Sequence, residues 1–511
     1  MVSSVFRISH LILAAISSIF LLIASVTGVI LAIDIVAEKA IYPYKVQDFK
    51  DITLAQSLSG LRKVYPEITG ISIDKNQFVT LEGLDQDGND VKAIIDPNNG
   101  DILGKPFQKS EFINQVTTLH RSLFFHDVGR FVVGIVSSLF FLITVSGIIL
   151  IIKRQKNIRH FFSKINKDYL PQYFHVFFGR LLLIPILLIS LTGTYLFMKR
   201  FKLIPEEKEV KITHWIQSSE EKKNITDFPI FTNTLLSNIE KIEFPFDPDD
   251  PEDVFVLKLK DRELEINQFS GEITKEVRYP YSVLLANLSL DLHTGRTNIW
   301  LALILGITSF IIIVFIYTGF TMTFRRTSAK IRNKYKVNEA EYILLVGSES
   351  GTTLTFANKI QKQLIASGKK VFIAYLNEYQ VFPKAKYLVV FTSTYGLGDA
   401  PANAEKFETL LNKYPQKNTI GFSVVGFGSN AYKDFCGFAK RVDMLLDSQS
   451  QLVRFTEIFM INDRSADGFS KWAKSWGEKA GIPLMTSPAY YSLKIAGLKN
   501  IKVISKTKID E

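Results

Sequence analysis

Apolar residues follow two patterns along the chain. Up to about residue 330 they gather in four long runs without a charge, about 11–33, 131–152, 181–198 and 299–322. About 18 or more such residues suffice for a helix to cross a bilayer. Between the runs the pattern alternates, as in ISIDKNQFVTLEG, KAIIDPNNGDILG, VFVLKLK and RELEINQFSGEITKE. These stretches predict strands, with turns at Pro97-Asn98-Asn99-Gly100 and Gly271 and a helical stretch over 52–65. After residue 341 short apolar runs alternate with helical segments, which predicts a doubly wound parallel sheet.

The first regime is duplicated: span, strand-rich module, span, and the same again. His10 precedes Gly28 by 18 residues, and His175 precedes Gly193 by 18, each Gly following a Thr (Thr27, Thr192). Eighteen residues make about five helical turns, so each His and its Gly share a face at opposite depths. The second spans also align, with 13 residues from Gly134 to Gly147 and from Gly306 to Gly319. Upstream of them stand Leu119-His120-Arg121 and Leu292-His293-Thr294-Gly295-Arg296. His126 rivals His120 because it is nearer the start of its span; the repeat register favours His120. His160 and His214 match nothing in the repeat and read as surface residues.

Charge sets the orientation. The net charge is +11, and its Lys and Arg sit beside the apolar runs, which argues for topology and against nucleic acid. Lys153, Arg154, Lys156, Arg159, Lys164 and Lys167 follow the second span; Arg325, Arg326, Lys330, Arg332, Lys334 and Lys336 follow the fourth. Both connectors are therefore expected inside, with both termini cytoplasmic, although Lys199, Arg200 and Lys202 oppose this. The first run is too long for a cleavable signal. One cysteine, Cys436, excludes an internal disulfide and any cysteine-based cluster.

The spans and DPNNGDIL-type modules over about residues 5–330 resemble the PepSY-associated transmembrane family, which includes inner-membrane ferric-siderophore reductases. An imidazole at membrane depth is a functional signal, and neutral imidazole is a good iron ligand. The histidines are expected to hold two b-type haems, His10 with His175 on the cytoplasmic side and His120 with His293 on the other. Arg121, Arg180 and Arg296 are candidates for the propionates. The Thr-Gly pairs would let a porphyrin approach the backbone or simply pack helices.

In the last third, Ser348-Glu349-Ser350-Gly351-Thr352-Thr353 links a strand to a helix, as a phosphate cradle does. Ser393-Thr394-Tyr395-Gly396-Leu397-Gly398 and Gly426-Phe427-Gly428 follow the third and fourth strands at the same sheet edge. These loops, over about residues 341–480, resemble the flavodoxin-like FMN module of diflavin reductases such as cytochrome P450 reductase and the sulfite reductase flavoprotein. The resemblance implies that Ser348 to Thr353 hold the FMN phosphate. The other two loops would border the isoalloxazine, with Tyr395 and Tyr432 stacking on it; Leu397 and Ala400 depart from the more acidic family loop. Cys436 reads as a small buried apolar residue.

The expected architecture is a multidomain membrane protein. Four transmembrane helices lie within 1–33, 130–154, 175–200 and 299–324. Two small extracytoplasmic α+β modules fill 34–129 and 201–298, and basic connectors 155–174 and 325–340. A cytoplasmic flavodoxin-like doubly wound sheet fills 341–482, and 483–511 resembles the start of a truncated FAD-binding domain. The FMN would thus draw electrons from a separate FAD/NADPH reductase. The expected function is electron transfer across a bacterial-type inner membrane to an extracytoplasmic acceptor, a ferric siderophore or other iron chelate, with no acid–base catalytic residues. A flavin redox sensor whose outer modules bind a protein, or a quinone reductase, are the alternatives.

Overall fold

A computed structural model describes residues 2–41, 46, 48–154, 158–162, 165, 170–205, 207–213, 222–250, 252–328, 331–348, 351–394, 398–430 and 434–492. Two compact units emerge: Ile8–Gly147 with Phe178–Ile316, and Met1–Arg7 with Ile148–Phe177 and Tyr317–Glu511. In chain order the first part holds α1 (Val2–Ile41), α2 (Leu54–Leu61), β1 (Glu67–Ile73), β2 (Val79–Leu84), β3 (Asp90–Ile95), β4 (Ile102–Gly104), α3 (Glu111–Ser122) and α4 (His126–Arg154). There follow α5 (Leu170–Leu181), α6 (Leu183–Arg200), β5 (Val210–Thr213), α7 (Pro229–Asn233), β6 (Ile239–Glu243), β7 (Val254–Leu259), β8 (Arg262–Asn267), β9 (Ile273–Arg278), α8 (Tyr281–Thr294) and α9 (Ile299–Ser328).

Among the described residues four helices are long and apolar enough to cross a membrane: Val5–Ala40, His126–Lys153, Leu183–Arg200 and Ile299–Phe324. They pack on one another through Leu21, Val136, Phe140, Ile186 and Ile312, one or more from each span. The rest of their apolar surface stays exposed, as lipid-facing surface must. The third differs from the single helix expected over 175–200, for it breaks at Leu182 (φ −100°, ψ 19°). Pro185 has no N–H for the Leu181 carbonyl, and its ring crowds that carbonyl, so α5 ends there and α6 restarts.

The two strand-rich modules share one antiparallel sheet of nine strands, in the order β4-β3-β2-β1-β6-β7-β8-β9-β5. The join is β1 against β6, with Gly70, Ile71 and Ser72 opposite Glu243, Ile242 and Lys241. The exchange is nearly twofold: Leu54 N–H donates to the Thr234 carbonyl and Leu236 N–H to the Ile52 carbonyl, both at 2.9 Å. One core runs under both halves, from Leu58, Ile71 and Leu81 to Phe228, Ile242 and Leu257. The alternation in the sequence reported the strands; the partner across the join lies about 170 residues away and left no local mark.

The last part holds β10 (Tyr342–Gly347), α10 (Thr352–Ala366), β11 (Val371–Tyr375), β12 (Tyr387–Ser393), α11 (Phe407–Lys413), β13 (Ile420–Gly428), α12 (Gly437–Asp447), β14 (Leu452–Arg454), β15 (Phe459–Asn462), α13 (Ala466–Ala480) and α14 (Pro488–Tyr491). The strands are parallel in the order β11-β10-β12-β13-β14, and β15 pairs with the far half of β13. Both faces are covered, one by Phe438, Val442 and Leu446, the other by Phe356, Phe469, Trp472 and Trp476, so the strands read as unbroken apolar runs.

The shared sheet is open to a direct test. Ile242→Ala deletes buried methylenes opposite Ile71 and should destabilise by about 2–5 kcal/mol. Limited proteolysis in detergent against rising temperature should then cut 34–129 and 201–298 together. Cleavage confined to the second half would contradict one core.

Candidate functional site

The four repeat histidines have a common environment. His120 Nδ1 lies 2.8 Å from Thr27 Oγ1, and His293 Nδ1 3.0 Å from Thr192 Oγ1. His10 Nδ1 lies 2.9 Å from Ser146 Oγ, and His175 Nδ1 2.9 Å from Thr318 Oγ1. All four hydroxyls are buried, and each precedes a glycine: Gly28, Gly193, Gly147, Gly319. A Cβ on those glycines would come within 3.8, 3.2, 3.4 and 3.9 Å of the neighbouring imidazole Cε1. The hydroxyl holds the ring; a side chain would crowd it only at Gly193, and at the other three it would be in ordinary contact.

The hydrogen bonds fix the tautomer. Thr27 Oγ1 already donates to the Ile23 carbonyl at 2.7 Å and Thr192 Oγ1 to the Leu188 carbonyl at 2.6 Å. A hydroxyl has one proton, so toward the imidazole it can only accept, and Nδ1 must carry the hydrogen. His10 Nδ1 also faces the Ile143 carbonyl at 3.1 Å, an acceptor, and Ser146 Oγ donates to that carbonyl at 2.8 Å. For His10, His120 and His293 the lone pair is therefore on Nε2, the arrangement of a metal-ligating histidine whose other nitrogen is anchored.

His120 and His293 come together, with ring centroids 6.4 Å apart and planes at 55°. Two imidazoles this close could take hold of one group placed between them. Among the described residues no three His, Cys, Asp or Glu side chains form a metal cluster. Two imidazoles are fewer than the protein ligands of an ordinary metal site, so a metal here would need its remaining ligands from another group. Both histidines stand on separate helices, α3 and α8, that precede spans two and four. His126 is exposed at the start of α4. His10 and His175 lie in different compact units.

In the parallel sheet Ser348, Thr352 and Thr353 are buried where β10 gives way to α10. Gly351 caps that helix at φ 74° with no side-chain bond to the first turn. The Ser348 N–H donates to Asn403 Oδ1 at 2.8 Å. Ser393 and Thr394 end β12; Ser393 Oγ donates to the Gly347 carbonyl at 3.3 Å and Thr394 N–H to the Phe427 carbonyl at 3.0 Å. Gly398 follows at φ 87°. These groups gather at the carboxyl ends of β10, β12 and β13, where the strand order reverses.

Three residues expected beside the cofactor also pack the module. The Phe427 ring is buried against Phe356 at 5.2 Å and Phe469 at 6.0 Å, so its side chain belongs to the core and only its backbone faces the loop. A Cβ on Gly426 would meet Ala439 at 2.6 Å, and one on Gly428 would meet the Cys436 nitrogen at 2.8 Å. Both glycines let Cys436 and α12 lie against β13. Glu349, Ser350, Tyr395, Gly396, Leu397 and Tyr432 lie outside the described residues, as do His214, Lys156, Lys164, Lys167, Lys330, the His160, Arg154, Arg325 and Arg326 side chains, and the tail from 493. Ser146 and Thr318 were missed from the sequence, although a hydroxyl residue before glycine recurs four times at repeat positions.

A sequence model of the PepSY-associated TM region matches residues 7–326, and one of flavodoxin matches residues 344–476. Flavodoxin YqcA of Escherichia coli is 28% identical over 146 residues, 27% of this chain and 97% of that protein. The sulfite reductase (NADPH) flavoprotein alpha-component of Bacillus subtilis is 31% identical over 111 residues, 21% of this chain and 18% of its own length. Inducible nitric oxide synthase of Bos taurus is 29% identical over 148 residues, 28% of this chain but only 13% of that protein. The chain thus spans less than a fifth of either of these two longer relatives. A solved flavodoxin from Streptococcus pneumoniae TIGR4 is 22% identical, covers 27% of this chain and 97% of its own, and gives a TM-score of 0.25.

Cys436 offers a probe of this region. Burial pushes its thiol up to about 11, so the reactive thiolate is scarce at pH 8. Ellman's reagent should leave the native protein unlabelled and modify one thiol after denaturation. Between the ordinary value of 9.0 and about 11 the unfolded thiol ionises first, so the module should lose stability as pH rises through that window. Rapid labelling of the native protein at pH 8 would contradict this packing.

Proposed function

Since the chain belongs to the PepSY-associated transmembrane family, matched over residues 7–326, we propose that it carries electrons from a flavin in its flavodoxin-like module, through haem held by its membrane histidines, to an acceptor across the membrane. The observation that carries this reading is the repeated histidine environment: Nδ1 held by a buried hydroxyl, and for His120 and His293 the two rings brought to 6.4 Å. FMN exchanges one or two electrons when bound, and haem between two imidazoles exchanges one with no coordination position left open for other chemistry.

The chain's own residues place and insulate these groups. His120 and His293 would offer Nε2 to one iron. By the repeat His10 and His175 would each be an iron ligand as well, since each Nδ1 meets a hydroxyl one residue before a glycine. Ser348, Thr352, Thr353 and the first turn of α10 would hold the flavin phosphate, a fit supported by the buried hydroxyls where β10 gives way to a helix that starts on a glycine. The acceptor is proposed to be a ferric siderophore or other iron chelate, and the electron donor a separate FAD/NADPH reductase. The basic segments after spans two and four favour a cytoplasmic flavin module.

A reduced-minus-oxidised spectrum of the detergent-purified protein, with pyridine-haemochrome and flavin quantitation, tests the reading. One FMN and about two haems per chain are expected, and His120→Ala or His293→Ala should each remove one haem. Flavin without haem would overturn the membrane path. A second test keeps the ligands and removes the anchor. Thr27→Val and Thr192→Val delete the Nδ1 acceptor at nearly constant shape and should weaken iron retention about 10–100-fold. The midpoint potential should rise, because an imidazole that no longer donates from Nδ1 is less basic. An unchanged potential and retention in both variants would contradict the hydroxyl's role.

A further inference from the structure

The two halves of the membrane repeat agree in backbone and differ on one face. In the first half Lys109 pairs with Asp34 at 3.5 Å; eleven residues on, His120 meets Thr27, seven residues before Asp34. In the second half Lys199 donates to Ser282 Oγ at 3.0 Å; eleven residues on, His293 meets Thr192, seven before Lys199. At 1.5 Å per residue, α3 and α8 thus carry their histidines about 10 Å below the charged ends of α1 and α6.

In this register Glu111, Gln115, Thr118 and Arg121 of α3 correspond to Leu284, Leu288, Asp291 and Thr294 of α8. The four α3 residues are exposed and form one stripe at i, i+4, i+7 and i+10. The exposed face of α8 is mostly apolar, through Tyr281, Leu285 and Leu288; its exposed Asn287 corresponds to Asn114 and does not separate the halves. Asp291 is satisfied by Arg296 at 2.5 Å. Arg121 has no hydrogen bond or ion pair among the described residues. A charge facing hydrocarbon is costly, and one on a wet face is not. Just beyond it, Asp127 is shared by Arg130 and Arg200, each at 3.1 Å, one carboxylate for two guanidiniums. The α3 stripe is thus polar where Leu284 and Leu288 of α8 are apolar, although Phe112, at the position of Leu285, and Phe124 and Phe125 just past Arg121 are also exposed.

We propose that a water-soluble, anionic ferric chelate reaches the His120–His293 pair along the polar stripe of α3, with Arg121 as its anion-binding residue. This rests on the electron-transfer reading and adds the side of entry and the charge of the acceptor. The chelate's Fe(III) gains one electron from the reduced protein and becomes Fe(II); no proton or group is transferred.

Full-length protein in detergent, reduced with dithionite freed of excess, is mixed with ferric citrate or with the cation hexaammineruthenium(III), and reoxidation is followed by absorbance. Arg121→Gln should raise the half-saturating ferric citrate concentration about tenfold, the loss of one charge-assisted contact, and leave the cation's rate unchanged or higher. Thr118→Leu should also slow ferric citrate, and Leu288→Gln on α8 should not. Equal half-saturation in wild type, Arg121→Gln and Thr118→Leu would overturn the proposal. So would loss of haem absorbance in Arg121→Gln, which would make that residue a cofactor contact. A wild type without haem fails the parent reading instead, and is seen in the spectrum before any acceptor is added.

Discussion

A hydrogen bond from an imidazole to a hydroxyl one residue before a glycine governs the membrane half of this protein. Buried hydroxyls in apolar helices are usually satisfied by the carbonyl one turn back, and Thr27 and Thr192 do that here. Having spent their protons there, they can only accept, and so they dictate which imidazole nitrogen keeps its lone pair. The neighbouring glycine lies against the ring, most tightly at Gly193 beside His293. Three local facts (one hydroxyl, one carbonyl, one missing Cβ) convert a titratable side chain into an oriented ligand. The chain repeats the hydroxyl–glycine pair at four histidines, and the carbonyl that completes it is seen at His10, His120 and His293.

Duplication also explains the sheet. Each half alone would end in an open strand, β1 or β6, and the two strands close on each other in antiparallel register. The reciprocal bonds between Leu54 and Thr234 and between Leu236 and Ile52 repeat the relation one layer away. A single core beneath both halves holds the strands that lead into α3 and α8, with Lys75 of the β1–β2 turn reaching Glu240 at 3.1 Å and Asp291 of α8 at 4.0 Å. The histidine helices are therefore fixed by a sheet as well as by the spans.

Much of this was legible in the sequence because it is carried by local patterns. Uncharged runs marked the spans, alternation marked β1 to β4 and β6 to β9, and Gly100 and Gly271 marked turns that take φ 83° and 70°. The histidines could be ranked because a repeat supplies its own comparison, and the register that preferred His120 to His126 corresponds to a buried contact with Thr27 as against an exposed side chain. What escaped was non-local or conditional. The β1–β6 join depends on residues far apart. The break at Leu182 lay in plain view as Pro185, yet the uninterrupted apolar run masked it. Phe427 sits between two glycines of a loop that suggests a ligand, and only the third dimension turns its ring toward Phe356 and Phe469.

The join between β1 and β6 also bears on how the chain is made. Ile71 leaves the ribosome about 170 residues ahead of Ile242, its partner across the strand pair. At 5–20 residues per second that is roughly 10–30 s. During that interval the first half is already threaded through the bilayer with a bare strand edge, the kind of surface that recruits neighbouring chains. Biogenesis of this protein therefore includes a waiting period that the finished fold no longer displays, and the crowding of nascent chains at the membrane sets how safely it passes.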